Sequence, residues 1–295
     1  MTDKYRRIDF RDQIARNKRK SFFLMVIVFL VLVVFGYVIS FAFDPGFFFI
    51  IMIIAIIFSI SYLLISYYKS DKIAIASVGA KKASREKHKQ YYNLVEGLTL
   101  ASGLPMPKLY IMPSKQINAF ASGRDPEHAV ICVTEGALEK LDKRELEGVL
   151  AHELGHVANY DIRYITLVAV MVGMVAIISQ IFLRSLWFRG GGRDNKNTIF
   201  LLIGIAMAIL APIVVYLVQM SISRKREYTA DASAVKFTRY PTGLINALKK
   251  IKYEHSPPEK KVSKTVAPLF FANPFKDVGK THPPLDDRIK TLERM

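Results

Sequence analysis

The chain has 295 residues, 51% of them apolar, with 42 Lys+Arg against 25 Asp+Glu and a formal net charge of +17. Its single cysteine, Cys132, excludes an intrachain disulfide and a thiolate metal cluster; set in Ala-Val-Ile-Cys-Val, it reads as a small buried strand residue. The basic residues flank long apolar runs, which points to a membrane surface rather than nucleic acid, and no RNA-binding signature or zinc-finger spacing accompanies them.

Residues 1–20 form a basic segment with Lys4, Arg6, Arg7, Arg11, Arg16, Lys18, Arg19 and Lys20. Two uncharged runs follow, Ser21 to Phe43 and Phe47 to Tyr68, separated by the turn Asp44-Pro45-Gly46. Each is long enough for the roughly 20 apolar residues that span a bilayer core, so residues 21–68 read as a transmembrane hairpin. The first run is too long for a signal peptide and lacks a small-residue cleavage site.

Residues 69–163 are polar and mixed. A helix is expected over Lys81 to Gly103, stopped by Pro105 and Pro107. Three short strands are expected at Lys108 to Met112, Ile117 to Ser122 and Ala129 to Val133, separated by turn residues. Asp142 followed by Glu145 is a capping-box pattern. Leu146, Val149, Leu150, Leu154 and Val157 then recur at helical period. Residues 164–222 hold two further runs, Tyr164 to about Leu183 and Thr198 to Ile222, joined by a glycine-rich loop with the only Trp. They read as a second transmembrane hairpin rather than the buried hairpin of a soluble domain. Residues 223–295 return to a helix-rich pattern, with a Pro-rich linker around Pro257-Pro258 and a terminal helix from Leu285 to Met295.

Positive charge on the first twenty residues and on Lys69 to Lys89 places both termini and the central domain on the cytoplasmic side. Arg184, Arg189, Arg193 and Lys196 in the loop between runs three and four run mildly against that orientation.

The capped helix carries His152-Glu153-Leu154-Gly155-His156. Histidines at i and i+4 share one helix face and can reach one ion, while Glu153 can approach a water on that ion without ligating it. Zinc suits such a site because it accepts three protein ligands plus a water, whose proton a carboxylate can take and later deliver to the leaving amine. Two solvated surface histidines would be the alternative, and a third ligand decides between them. Glu227 supplies one candidate. Asp231, one turn later, can accept the second ring N–H of a ligating histidine. His156 precedes Tyr164 by eight residues and Glu227 follows Ile222 by five, which puts the metal roughly 10 Å from the bilayer.

Two spans, a strand-bearing domain, His-Glu-Leu-Gly-His, two more spans, Glu227-x-x-x-Asp231 and Thr281-His282-Pro283-Pro284 together resemble the HtpX-type membrane zinc metalloproteases, relatives of the CAAX prenyl proteases. The resemblance covers nearly the whole chain. It implies an α-helical membrane protein with four transmembrane helices and a cytoplasmic α+β zinc metalloprotease (gluzincin) domain. One Zn2+ per chain would be held by His152, His156 and Glu227, with Glu153 as general base. The resemblance also implies a multi-pass protein of the bacterial cytoplasmic (inner) membrane that cuts misfolded membrane proteins; lipid and unfolded or membrane protein substrates are then its partners. Asn118-Ala119-Phe120 resembles the family's edge strand beside the cleft, and an ordinary core strand fits it equally. His282 fits either an oxyanion stabiliser or a turn before the last helix, and Asp161 either a partner of the site or a helix stop. His88, His128 and His255 read as surface residues. The competing functions are a CAAX-type prenyl-protein protease, for which four spans are few, and a zinc-stabilised scaffold without turnover. Intramembrane proteolysis is disfavoured because charged residues surround the motif.

Overall fold

The structure, a computed structural model, describes residues 10–40, 45–169, 224–254, 270–271 and 283–295. The fourth apolar run, most of the third, the Trp loop, the Pro257-Pro258 linker, His255 and His282 lie outside the described residues.

A single helix, α1 (Phe10–Ser40), joins the basic segment to the first apolar run without a break. The 3-10 turn Pro45–Phe47 precedes α2 (Phe48–Tyr68). Asn17, Ser21, Leu24, Val28 and Leu32 form the buried stripe of α1 at helical spacing. A Cβ on Gly36 would stand 2.2 Å from the Ala55 Cβ, so the two helices meet where the small residues are. Much of the outer face is apolar and exposed, including Phe22, Leu30, Phe49, Ile53, Ile57 and Ile65. A surface of that kind is unstable in water and stable in lipid. Among the described residues, Pro45–Tyr68 is the one helical segment long and apolar enough to cross a membrane.

The water-facing part is a four-stranded mixed sheet flanked by helices. After α3 (Ser70–Ser77) come β1 (Lys81–Lys82), α4 (Lys89–Ser102), β2 (Lys108–Met112), β3 (Ala119–Ser122) and β4 (Val130–Thr134). The order is β1-β2-β4-β3, with β2 and β4 parallel and the outer pairs antiparallel. The helix expected from Lys81 is therefore shorter. Lys81 and Lys82 pair with Ile111 and Tyr110, and the Ala83 amide donates to the Leu109 carbonyl at 2.9 Å, which holds that segment extended. Cys132 is buried in β4, where burial pushes its thiol pKa up.

Next come α5 (Glu135–Lys140) and α6 (Lys143–Ala158), the helix at the centre of the domain. Asp142 accepts from the amides of Arg144 and Glu145 at 2.8 and 2.9 Å, and Glu145 accepts from the Asp142 amide at 2.8 Å, completing the capping box. After a turn, a further helix, α7 (described over 161–169), packs Tyr164, Leu167 and Val168 against Leu24, Val28 and Leu32 of α1. The remaining helices are α8 (Arg224–Thr238), α9 (Pro241–Tyr253) and α10 (Leu285–Leu292).

Helix α6 approaches its neighbours through glycines. A Cβ on Gly148 would lie 2.6 Å from the Leu244 nitrogen of α9, and one on Gly155 would lie 3.1 Å from the Ala230 Cα of α8. These contacts bring the backbones closer than any side chain would allow. They also set the distance between the two helices that carry the site.

Candidate metal centre

His152 and His156 leave the same face of α6 and are both buried. Their Nε2 atoms stand 3.1 Å apart. Glu227 of α8 faces them across the Gly155 contact, with its two carboxylate oxygens 3.7 Å from the Nε2 atoms of His152 and His156. One donor atom from each of the three residues lies within 4.8 Å of the others. Two donors on a tetrahedral zinc lie about 3.3 Å apart at ordinary bond lengths, so the three residues fit such an ion with only small adjustment.

Each histidine is held from behind by a buried aspartate. His152 Nδ1 lies 2.8 Å from Asp231 Oδ1, and His156 Nδ1 lies 3.1 Å from Asp161 Oδ2. With Nδ1–H donated to a carboxylate, Nε2 is left as the lone pair facing the ion. Asp161 does not end the active-site helix. Helix α6 stops at Ala158, and Asp161 is the first residue of α7.

The aspartates have partners of their own. Arg288 of α10, with no exposed surface, spans both oxygens of Asp231, Nε to Oδ2 at 2.9 Å and Nη2 to Oδ1 at 2.6 Å. Its Nη1 lies 3.6 Å from Glu227. Asn17 of α1 donates to Asp161 Oδ1 at 2.7 Å, and Arg226 Nε approaches the same oxygen at 3.9 Å. The ring of Phe271 meets His152 edge to face, with centroids 4.8 Å apart, and lies under the Arg288 guanidinium. Sequence reading missed Asn17, Arg288 and Phe271. For the first two a signal exists: each is a polar side chain on an otherwise apolar helical stripe.

In the metal-free site burial disfavours every charge, and the partners decide which ones survive. Burial, reinforced by Arg288, lowers the pKa of His152 to about 4 against the pull of Asp231. Burial also opposes a charge on His156, but Asp161 and Glu227 outweigh it and raise the pKa to about 9. Glu153 is pushed up to about 7 by burial and by Glu227, with His156 and the Ala121 backbone amide pulling the other way.

Beside the site runs β3, the edge strand that holds Ala119 and Phe120. The Thr134 amide donates to the Asn118 carbonyl at 3.0 Å, and the antiparallel alternation then turns the backbone groups of Ala119 and Ala121 away from β4. The Ala119 carbonyl already accepts from the Phe271 amide at 2.8 Å, and its own amide donates to Asn118 Oδ1 at 3.0 Å. His88 and His128 are half-buried and have local partners, Ser84 for one and Asp125 with Arg124 for the other.

Comparison with known proteins identifies the family. A model for "Peptidase family M48" matches residues 85–295. A "Protease HtpX homolog" of Caldanaerobacter subterraneus subsp. tengcongensis is 43% identical over 290 residues, covering 95% of this chain and 96% of that protein. Another, from Lactobacillus helveticus, is 41% identical over 301 residues, covering 96% and 99%. Among solved structures, S. mikatae Ste24p aligns with a TM-score of 0.49 at 19% identity, over 95% of this chain and 66% of that one. The chain belongs to peptidase family M48 and is a membrane-bound metalloprotease of the HtpX type.

Proposed function

We propose that the chain is a zinc endopeptidase that cuts misfolded or damaged membrane proteins at their cytoplasmic segments. The observation that carries the zinc assignment is the convergence of His152, His156 and Glu227, with both Nδ1 atoms engaged by buried aspartates. One Zn2+, held by those three residues, supplies a Lewis acid that polarises the scissile carbonyl and acidifies water. Glu153, next to the first ligand in sequence and buried in the site, receives the water proton on its carboxylate and returns it to the leaving amine nitrogen. Asp231 and Asp161 keep the two imidazoles in one tautomer and one orientation.

The outward backbone groups of β3 support its use as a template on which an extended peptide adds as a strand, with Asn118, Ala119 and Phe120 at its start. Along that edge the Phe271 amide takes the Ala119 carbonyl, and the Ala121 amide faces Glu153. The oxyanion role assigned to His282 falls outside the described residues. Four spans with both termini and the site on the cytoplasmic side fit the flanking basic residues and the exposed apolar face of α1 and α2. A metal centre so close to α1 and α7 suits substrates presented from the bilayer surface.

The test is hydrolysis of an unfolded soluble protein by the detergent-purified chain, with zinc, with chelator, and by Glu153→Gln. Zinc-dependent cutting that the variant lacks, with zinc content unchanged, is the expected result. Equal cutting by Glu153→Gln would overturn the general-base role. Zinc bound by both proteins without cutting by either would favour a scaffold or a narrow prenyl-protein specificity.

A further inference from the structure

The first membrane-anchored helix reaches into the metal centre at one point. Asn17 is buried, and its Nδ2 donates twice, to Asp161 Oδ1 at 2.7 Å and to the Asn159 carbonyl at 2.9 Å. These partners flank Tyr160, which has φ +58°, the left-handed region that an aromatic residue occupies only under constraint. The next residue of α1, Lys18, places its ammonium 4.3 Å from the centre of the Tyr160 ring, while Arg163 covers the same ring at 5.5 Å. Two consecutive residues of α1 therefore grip one three-residue turn. That turn joins the active-site helix α6 to α7, and its last member, Asp161, orients His156.

We propose that Asn17 is a positioning residue for the metal site. It holds the strained 159–161 turn so that the Asp161 carboxylate stays on His156 Nδ1. Without the amide, the side-chain contact left to Asp161 Oδ1 among the described residues is the distant Arg226 guanidinium at 3.9 Å. The turn is then free to relax toward ordinary backbone angles and carry the carboxylate away. An Asn side chain suits the task because one NH2 group offers two donors, one for a carboxylate and one for a carbonyl. Through this bond the α1–α2 hairpin is part of the catalytic assembly as well as its anchor.

The inference rests on the zinc reading above, and the test separates the two. Full-length chain in detergent is loaded with zinc, and release to a chromophoric chelator is followed for wild type, Asn17→Ala, Asp161→Ala and the double variant. Removing an outer partner of a ligating histidine commonly costs about 10-fold in metal affinity or activity. Asn17→Ala is therefore expected to release zinc about 10-fold faster, and to lose kcat per bound zinc with KM within about 2-fold. In the Asp161→Ala background the same change should add little, because its route is already cut. Asn17→Asp, of the same size, removes the donors and sets carboxylate against carboxylate, so it should release zinc faster still. It also serves as the second variant should Asn17→Ala fold poorly. Wild-type zinc release and kcat in Asn17→Ala, or full additivity with Asp161→Ala, would overturn the proposal, even if the unfolding temperature falls. Failure of the wild type to bind zinc would instead defeat the zinc reading.

Discussion

Removing the Arg288 guanidinium should damage both stability and metal binding, in amounts the geometry makes calculable. Arg288 and Asp231 are both completely buried and share a bidentate pair at 2.6 and 2.9 Å. Burial works against the Asp231 charge, and Arg288 is the largest influence that keeps its pKa below the usual carboxylate range. Arg288→Met fills much of the same volume but leaves a buried carboxylate without its cation. Breaking a buried pair in this way costs about 3–5 kcal/mol, which corresponds to a fall in unfolding midpoint on the order of 10 °C. A second effect follows from charge. Burial chiefly keeps His152 neutral and Arg288 adds to it, so loss of Arg288 shifts His152 toward protonation beside Asp231. That proton competes with the metal, so zinc affinity should drop about 10- to 100-fold at neutral pH and recover partly as pH rises. Arg288→Lys, a point charge that cannot span both oxygens, should fall between the two. Thermal unfolding of the metal-free protein and chelator competition measure the two effects separately. An Arg288→Met variant with wild-type midpoint and zinc affinity would refute the reasoning.

Glu153→Gln should lower kcat at least about 100-fold while zinc content by elemental analysis stays at wild type, because the residue transfers a proton and ligates nothing. Gly155→Val should push α8 from α6, since even a Cβ there meets Ala230 at 3.1 Å. The variant should unfold at lower temperature, by about 1–3 kcal/mol, and bind zinc more weakly in chelator competition. Zinc binding should release close to one proton per ion between pH 7 and 9, because His156 in the metal-free site holds its proton up to about 9. Calorimetry in buffers of different ionisation enthalpy reads this directly, and apparent affinity should rise about 10-fold per pH unit over that range. The same shift has a stability consequence. The His156 pKa in the folded state lies above its unfolded value of 6.5, so its contribution is fully present below pH 6.5 and disappears as pH rises through about 9. Metal-free protein should therefore show a falling unfolding midpoint across that window.

The ligand pair on α6 was legible because both residues lie in one helix, where a four-residue spacing fixes a shared face and the capping box fixes the helix start. Glu227 and Asp231 repeat that spacing on α8, so a second face could be read from sequence as well. What pairwise spacing cannot give is which aspartate meets which histidine. Asp161 turned out to face His156 because a turn at Asn159 and Tyr160 reverses its direction, and a left-handed tyrosine leaves no mark in composition. The shortened helix before Gly103 has a similar origin: the local pattern of Lys81 to Lys89 suits a helix, but pairing with β2 wins because Ala83 is buried against it. Such tertiary override is the usual limit of local propensity. Arg288 and Asn17 were readable in principle. Arg288 shares a stripe with Leu285, Ile289 and Leu292, and Asn17 shares one with Ser21, Leu24 and Val28. A strongly polar side chain on a stripe otherwise destined for burial requires a buried partner, and in both cases that partner is an aspartate behind a histidine.

The assembly of the site explains why so little of it is local. His152 depends on Asp231, 79 residues away, and on Arg288, 136 residues away, while Asp161 depends on Asn17 at a separation of 144. Each helper arrives on a different helix. A chain in which only α6 has formed holds His152, Glu153 and His156 on one face, yet neither imidazole is fixed and Glu227 is absent. The three donors come together when α8 docks on α6, and their orientation is fixed when α1 and α10 bring Asn17 to Asp161 and Arg288 to Asp231. In a protease that works beside its own membrane helices, this order of events ties cutting power to completed insertion and folding, since the charges that activate the site are stable in the buried interior only once every partner is in place.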